Sequence, residues 1–398
     1  MPKVNPDIIR WARQTAGLTL EEATHKLDLQ QARGVPATDR LAALESGENE
    51  PSRSLLVRMA KQYRRPLLTF YMTAPPRKGS RGEDFRTLPD DYSDSDEALL
   101  DALIRNVKAR QSMLRALLED EEDVEPLSFV GSMTRSQGVA AVLSSIQRTI
   151  GINRAEFYAK PSSSEAFGLL RERVESMGVF VLLIGNLGSY HTAIDLEVFR
   201  GFALADDIAP FVIINEEDAR SAWSFTLLHE LAHIWLGQTG VSGGKSEIAV
   251  EKFCDDVASR FLLPNSELKQ LKVSEGIDLE SAQERISEFA RDRNLSASMV
   301  AYRLYRMGTI NIESWRRLSE TLRHIWLDRR TTDRLRKREQ KQTGPSYYVV
   351  RRHRMGKALL ELVGAMMRAG AITTSKAGKV LGVKGKNVQT LIDAGRLL

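Results

Sequence analysis

A chain of 398 residues is too long for one compact core, because domains usually run to about 100–200 residues, so several units are expected. An apolar fraction of 42% excludes a disordered chain, and the lone Cys254 excludes an internal disulfide framework and suits a reducing cytoplasm. The net charge of +5 is mild, no apolar run reaches the about 18 residues of a membrane span, and Met1 to Pro6 lacks the apolar stretch of a signal peptide, so a cytoplasmic protein without membrane contact is expected.

In chain order, residues 5–72 read as a helical bundle. Ile8, Ile9, Ala12 and Ala16 share one face, and Gly17 is a C-cap signal. Thr19 with Glu22 forms a capping-box pattern, Thr38 can cap a third helix through Leu41 and Leu44 to Gly47, and Pro51-Ser52 opens a fourth with Leu55, Leu56 and Met59 inward. Residues 73–97, rich in Pro, Gly, Asp and Ser, read as a linker in which Phe85 and Leu88 are candidate anchors. A helix is predicted from about 97 to 118, followed by the acidic run Glu119 to Glu125. Helices are predicted over 136–150 and 163–177. Val179 to Ile184, Val198 to Leu204 and Phe211 to Ile214 read as strands, the last two joined by a turn at Asp206-Asp207.

From Asp218 the pattern is helical, and Trp223, Leu227, Leu228, Leu231 and Leu236 form a stripe free of Pro and Gly until Gly237. This helix carries His229-Glu230-Leu231-Ala232-His233. Histidines four apart are neighbours on one helical face, so both imidazoles can converge on one zinc ion, and Glu230 can reach the water position as general base. A third protein ligand is needed. Glu251 on the next predicted helix, ending at Leu262-Leu263-Pro264, is one candidate and Glu247 the competing one; Asp255 can accept a hydrogen bond from a ligand histidine. Three protein ligands leave a coordination position open, as catalysis requires; a fourth would make the site structural. His/His/Glu suits zinc, although the residues alone leave manganese open. Cys254 falls in the stripe Phe253, Cys254, Val257, Phe261 and is expected to be buried, and His191 reads as a loop histidine.

Beyond Pro264 the chain reads as helical. Ile286, Phe289, Ala290, Leu295, Val300 and Leu304 have helix–turn–helix spacing, and a last helical unit spans about 354–398. Residues 316–357 carry 14 Lys/Arg against the four acids Glu320, Asp328, Asp333 and Glu339, which suits either contact with phosphate backbones or a solvated face.

Three ordered segments, Phe199 to Leu204, Pro210 to Asn215 and Phe225 to His233, together with Glu251 to Pro264, resemble the ImmA/IrrE family of metallopeptidases over about residues 165–265. The family usually has Asn where this chain has Asp255, and often Ala where it has Cys254. Residues 5–72 are similar to the XRE-type helix–turn–helix that often precedes such a domain, Asp84 to Pro89 to the segment after it, and 280–308 to the trailing helical segment. The resemblance implies cleavage of a helix–turn–helix repressor or antitoxin, with derepression of stress-response or mobile-element genes. The alternative is a DNA-binding regulator whose metal site is structural or sensory. DNA contact through residues 5–72, with Arg40 as the guanine-reading candidate, or through 316–357 is an expectation of the same reading. So is an oligomer. The expected fold is α+β and mostly helical: an XRE-like helix–turn–helix bundle (1–72), a linker and helix (73–130), a small zincin-like domain with a short sheet (131–270), a helix–turn–helix-like segment (271–312) and a basic helical C-terminal region (313–398).

Overall fold

The computed structural model describes residues 3–76, 94–120, 124–242, 248–273, 278–339 and 346–394. The candidates Glu247, Phe85 and Leu88, the segment 84–89 and the centre of the acidic run lie outside the described residues. The fold is α+β and mostly helical, as expected, and it divides into two units: Met1–Val107 with Asn186–Val198, and Lys108–Gly185 with Phe199–Leu398.

In the first unit, α1 (Pro6–Gln14), α2 (Leu20–Lys26), α3 (Ala37–Ser46) and α4 (Arg53–Gln62) bury Ile8, Ile9, Ala12, Leu41, Leu44, Leu56 and Met59 in one core. The capping box is formed: the Glu22 amide donates to the Thr19 hydroxyl and the Thr19 amide to the Glu22 carboxylate. The third cap differs from expectation. Pro36 precedes α3 and Thr38 lies inside it, because proline's fixed φ lets the helix start two residues early. Arg13 and the buried Glu45 form a bidentate pair at 2.7 and 3.0 Å that joins α1 to α3. The α2–α3 connection runs from Leu27 to Pro36, and the Arg40 guanidinium donates to the Gln30 carbonyl within it. His191 sits in an exposed 3-10 turn, as a loop histidine.

The division between the units falls within α5 (Asp94–Glu119). The second unit continues with α6 (Gly138–Ile150), α7 (Arg154–Tyr158) and α8 (Ser163–Ser176). Its sheet contains β1 (Phe180–Leu183), β2 (Gly201–Leu204), β3 (Phe211–Ile214) and β4 (Gly240–Ser242) in the order β1-β3-β2-β4, with β1–β3 parallel and the other pairs antiparallel. Strands β1 and β2 are shorter than the sequence indicated, β3 has the expected bounds, and β4 was not anticipated: three residues after Gly237 offer too short a pattern. The expected β2–β3 turn is present. The Asp206 carboxylate accepts from the amides of Ile208 and Ala209, and Arg115 holds Asp206 and Asp207 at 2.6 and 2.7 Å.

Helix α9 (Arg220–Trp235) packs onto β2 and β3, α10 (Ile248–Leu262) packs against α9, and α11 (Asn265–Leu268), α12 (Leu279–Arg291) and α13 (Ala297–Arg306) follow. The spacing read as helix–turn–helix over 271–312 faces inward: Ile286, Phe289, Val300 and Leu304 join the main core. The remaining helices are α14 (Ile312–Glu339), α15 (Tyr347–Met355), α16 (Lys357–Arg368), α17 (Thr374–Leu381) and α18 (Val388–Asp393).

Part of the basic stretch serves this assembly. Arg330 pairs with Glu217 and Arg354 with Glu216, both in the segment that leads into α9. A buried network fixes α16 to α8. Arg171 holds Glu175 at 2.9 Å and donates to the carbonyls of Val181 and His353, while the Glu175 carboxylate accepts from the amides of Lys357 and Ala358 at 3.0 and 3.1 Å. Glu175→Ala removes this cap and leaves the Arg171 charge buried. The expected loss is about 3 kcal/mol, seen as a lower urea midpoint of the full chain, and an unchanged midpoint would show the network to be energetically silent.

Candidate metal centre

The metal-ligand motif lies on α9, which is buried on nearly every side from Thr226 to Trp235. A helix buried all round belongs to a core and is held rigidly by it. Phe129 stacks on Trp235 at 4.6 Å, the Trp235 indole donates to Ser145, and Phe167 packs edge-on against Trp223. The spacing of four places the His229 and His233 rings side by side, with centroids 5.0 Å apart. Helix α10 runs against α9 and presents Glu251 and Asp255 one turn apart toward those rings.

The His229 and His233 Nε2 atoms are 3.2 Å apart. The two Glu251 carboxylate oxygens lie 3.3 Å from His229 Nε2 and 3.4 Å from His233 Nε2. Donors at about 2.0–2.1 Å from a tetrahedral ion stand about 3.3–3.4 Å from one another, so the three side chains already form one face of such a tetrahedron. His229 Nδ1 is 2.9 Å from Asp255 Oδ1. With its proton directed to that carboxylate, the neutral imidazole turns its Nε2 lone pair toward the shared point. Two nitrogen lone pairs and a carboxylate meeting at this distance repel one another unless a cation lies between them, so the donor set fits a divalent ion. Among the described residues, His229, His233 and Glu251 form the one group with metal-ligand spacing.

Without the ion, protons take over part of the neutralisation. Burial lowers the His229 pKa, but hydrogen bonds to Asp255 and Glu251 outweigh it and hold the imidazole well above the ordinary value of 6.5. Burial raises the Glu251 pKa, but hydrogen bonds from His229 and His233 prevail and bring it to about 2. Cys254 is fully buried, and burial pushes its thiol well above the ordinary range, so it stays a neutral packing group.

Glu230 is fully buried on the same helix as the two histidines. Sequence reasoning missed what lies beside it. A Cβ at Gly201 would stand 2.6 Å from Thr226 Cγ2, 2.9 Å from Glu230 Oε1 and 3.1 Å from the Ile213 carbonyl oxygen. The first residue of β2 therefore forms the wall against which the Glu230 carboxylate rests, and only glycine leaves room for it. Gly201→Ala is expected to cost about 1–3 kcal/mol by overpacking. It also displaces the Glu230 carboxylate, while the metal-ligand donors on α9 and α10 are untouched. A wild-type urea midpoint in the variant would show that the carboxylate does not rest on this wall.

Of the site residues expected from sequence on α9 and α10, His229, His233, Glu251 and Asp255 are brought together, Glu230 is buried on α9 beside Gly201, and Arg40 lies in the other unit. No helix among the described residues is long and apolar enough to cross a membrane. No curated protein and no solved structure matches the chain. Residues 186–305, which contain β2 to β4, α9 to α12 and all but the last residue of α13, and so the whole His229, His233 and Glu251 cluster, are similar to the peptidase M78 family, described as the IrrE N-terminal-like domain.

Proposed function

We propose that the protein is a zinc-dependent endopeptidase and that its substrate is a helix–turn–helix repressor or antitoxin, whose removal derepresses stress-response or mobile-element genes. The observation that carries this reading is the three-donor face of His229, His233 and Glu251, spaced 3.2–3.4 Å apart, with Glu230 on the same helix. Three protein donors leave one position of a tetrahedron free, and the similarity of residues 186–305 to a peptidase family points the same way.

A zinc ion held there supplies Lewis acidity, lowering the pKa of water toward about 7 and polarising the scissile carbonyl. The chain's own groups do the rest. Asp255 fixes the tautomer and orientation of His229 through the 2.9 Å contact at Nδ1. The Glu230 carboxylate, held against Gly201, accepts the proton of the attacking water and returns it to the departing amine. Substrate selection lies outside this cluster, and we assign partner recognition to the helical bundle of residues 5–72.

The test is incubation of the purified chain with a small repressor encoded beside it, followed by intact-mass analysis. One defined cleavage that requires zinc and stops with a chelator is expected. Stoichiometric zinc with no cleavage of the partner or of unfolded test proteins would favour a structural or sensory site.

A further inference from the structure

The basic C-terminal region ends in an arrangement that the metal centre does not use. Helices α16, α17 and α18 share a core of Leu360, Val363, Ala377, Val380, Leu381, Val388 and Leu391. Three residues, Gly382 to Lys384, separate α17 from a helical run that starts as a 3-10 turn at Gly385–Asn387 and continues as α18. The corner is tight. Gly382 takes φ +66°, the Val383 amide donates to the Gly378 carbonyl at 2.8 Å, and a Cβ at Gly378 would stand 2.8 Å from the Val383 oxygen and 3.1 Å from Gly385 Cα. The third helix closes in from behind, since a Cβ at Gly364 would meet Ile392 at 3.2 Å. Two short helices joined by a three-residue turn containing glycine, backed by a third helix, make a helix–turn–helix.

Its outer face is charged in one sense. Lys376 and Lys379 on α17, Lys384 in the turn, and Lys386, Gln389 and Thr390 on the second helical run are all exposed. None of the four lysines has an acidic partner among the described residues, and the one acid on the second run, Asp393, is half-buried and bound by Gln389 at 2.9–3.0 Å. The N-terminal bundle is less suited to a duplex, because the loop from Leu27 to Pro36 is far longer than a three- to four-residue helix–turn–helix turn. A helix–turn–helix meets duplex DNA by laying its second helix in the major groove, with lysines on the flanking phosphates and polar side chains at base edges.

We infer that α17 and the helical run 385–393 form a duplex-DNA-binding helix–turn–helix, with Lys376, Lys379, Lys384 and Lys386 on phosphates and Gln389 and Thr390 facing the bases. This would tether the chain to DNA through a surface separate from the metal centre, and it stands whether or not the peptidase reading holds. The test is fluorescence anisotropy of the full-length protein with a mixed-sequence duplex of about 25 base pairs, from about 50 to 200 mM salt. Four phosphate contacts predict a log–log salt slope of about −3 to −4. The Lys384→Ala, Lys386→Ala double variant should reduce that slope by about 2 and weaken binding by about tenfold or more, with an unchanged circular-dichroism melting curve. Gln389→Ala should leave the slope intact and relax the sequence preference recovered from a random duplex pool. Absence of salt-dependent binding, wild-type affinity in the double variant, or tighter binding to single-stranded RNA than to duplex would each overturn the inference.

Discussion

Glu230→Gln is expected to retain the metal and the fold while losing about 10²–10⁴-fold in peptide hydrolysis. The substitution is nearly isosteric, which matters because Glu230 is fully buried and its Oε1 stands where a Cβ on Gly201 would press at 2.9 Å. A larger or smaller side chain would confuse loss of chemistry with loss of packing. Glutamine keeps the shape but cannot accept a proton at neutral pH, so the attacking water loses its base. The three ligand donors are untouched, and metal content measured by atomic emission should equal that of the wild type. Activity at the wild-type rate would remove Glu230 from the mechanism. Loss of metal together with activity would instead make it part of the support of the ligand cluster.

The parts of the site that were legible in sequence are those fixed by helical periodicity. The His229–His233 spacing and the Glu251–Asp255 spacing each define one helical face, and neither needs information from distant residues. The capping box at Thr19 and Glu22 was readable for the same reason, and so was the Asp206-Asp207 turn between β2 and β3. What sequence did not disclose depends on tertiary approach. Gly201 reads as an ordinary glycine inside the strand 198–204 until β2 is laid against α9. The basic run over 316–357 reads as free charge, yet Arg330 and Arg354 are committed to Glu217 and Glu216 more than a hundred positions earlier. The cap of α3 at Pro36 and not at Thr38 shows a local rule overridden by a stronger one, the fixed φ of Pro36.

His233→Ala is expected to abolish metal binding, taking the chain from about one equivalent of zinc to none, because two remaining protein donors cannot complete a structural or catalytic coordination set. A ligand that binds only the folded state adds about 4 kcal/mol when present at a thousand times its dissociation constant, so the variant should also melt like the chelated wild type and gain nothing from added zinc. The proton inventory gives an independent check on the same donors. In the metal-free fold His229 is held protonated well above 6.5, while Glu251, at about 2, is ionised throughout the neutral range. The sign follows. The raised His229 contributes stability to the metal-free chain that is full below about 6.5 and lost as pH rises through its folded value. The depressed Glu251 contributes stability present above its ordinary value of 4.5 and lost as pH falls through about 2. Metal entry must therefore displace a proton from His229 Nε2 and none from Glu251. Calorimetric titration in two buffers of different ionisation enthalpy should show about one proton released per metal near neutral pH, with affinity falling as pH is lowered. Full zinc occupancy in His233→Ala, or uptake with no proton release in the wild type, would mean that the ion is held elsewhere and that the 3.2 Å approach of the two Nε2 atoms serves some other purpose.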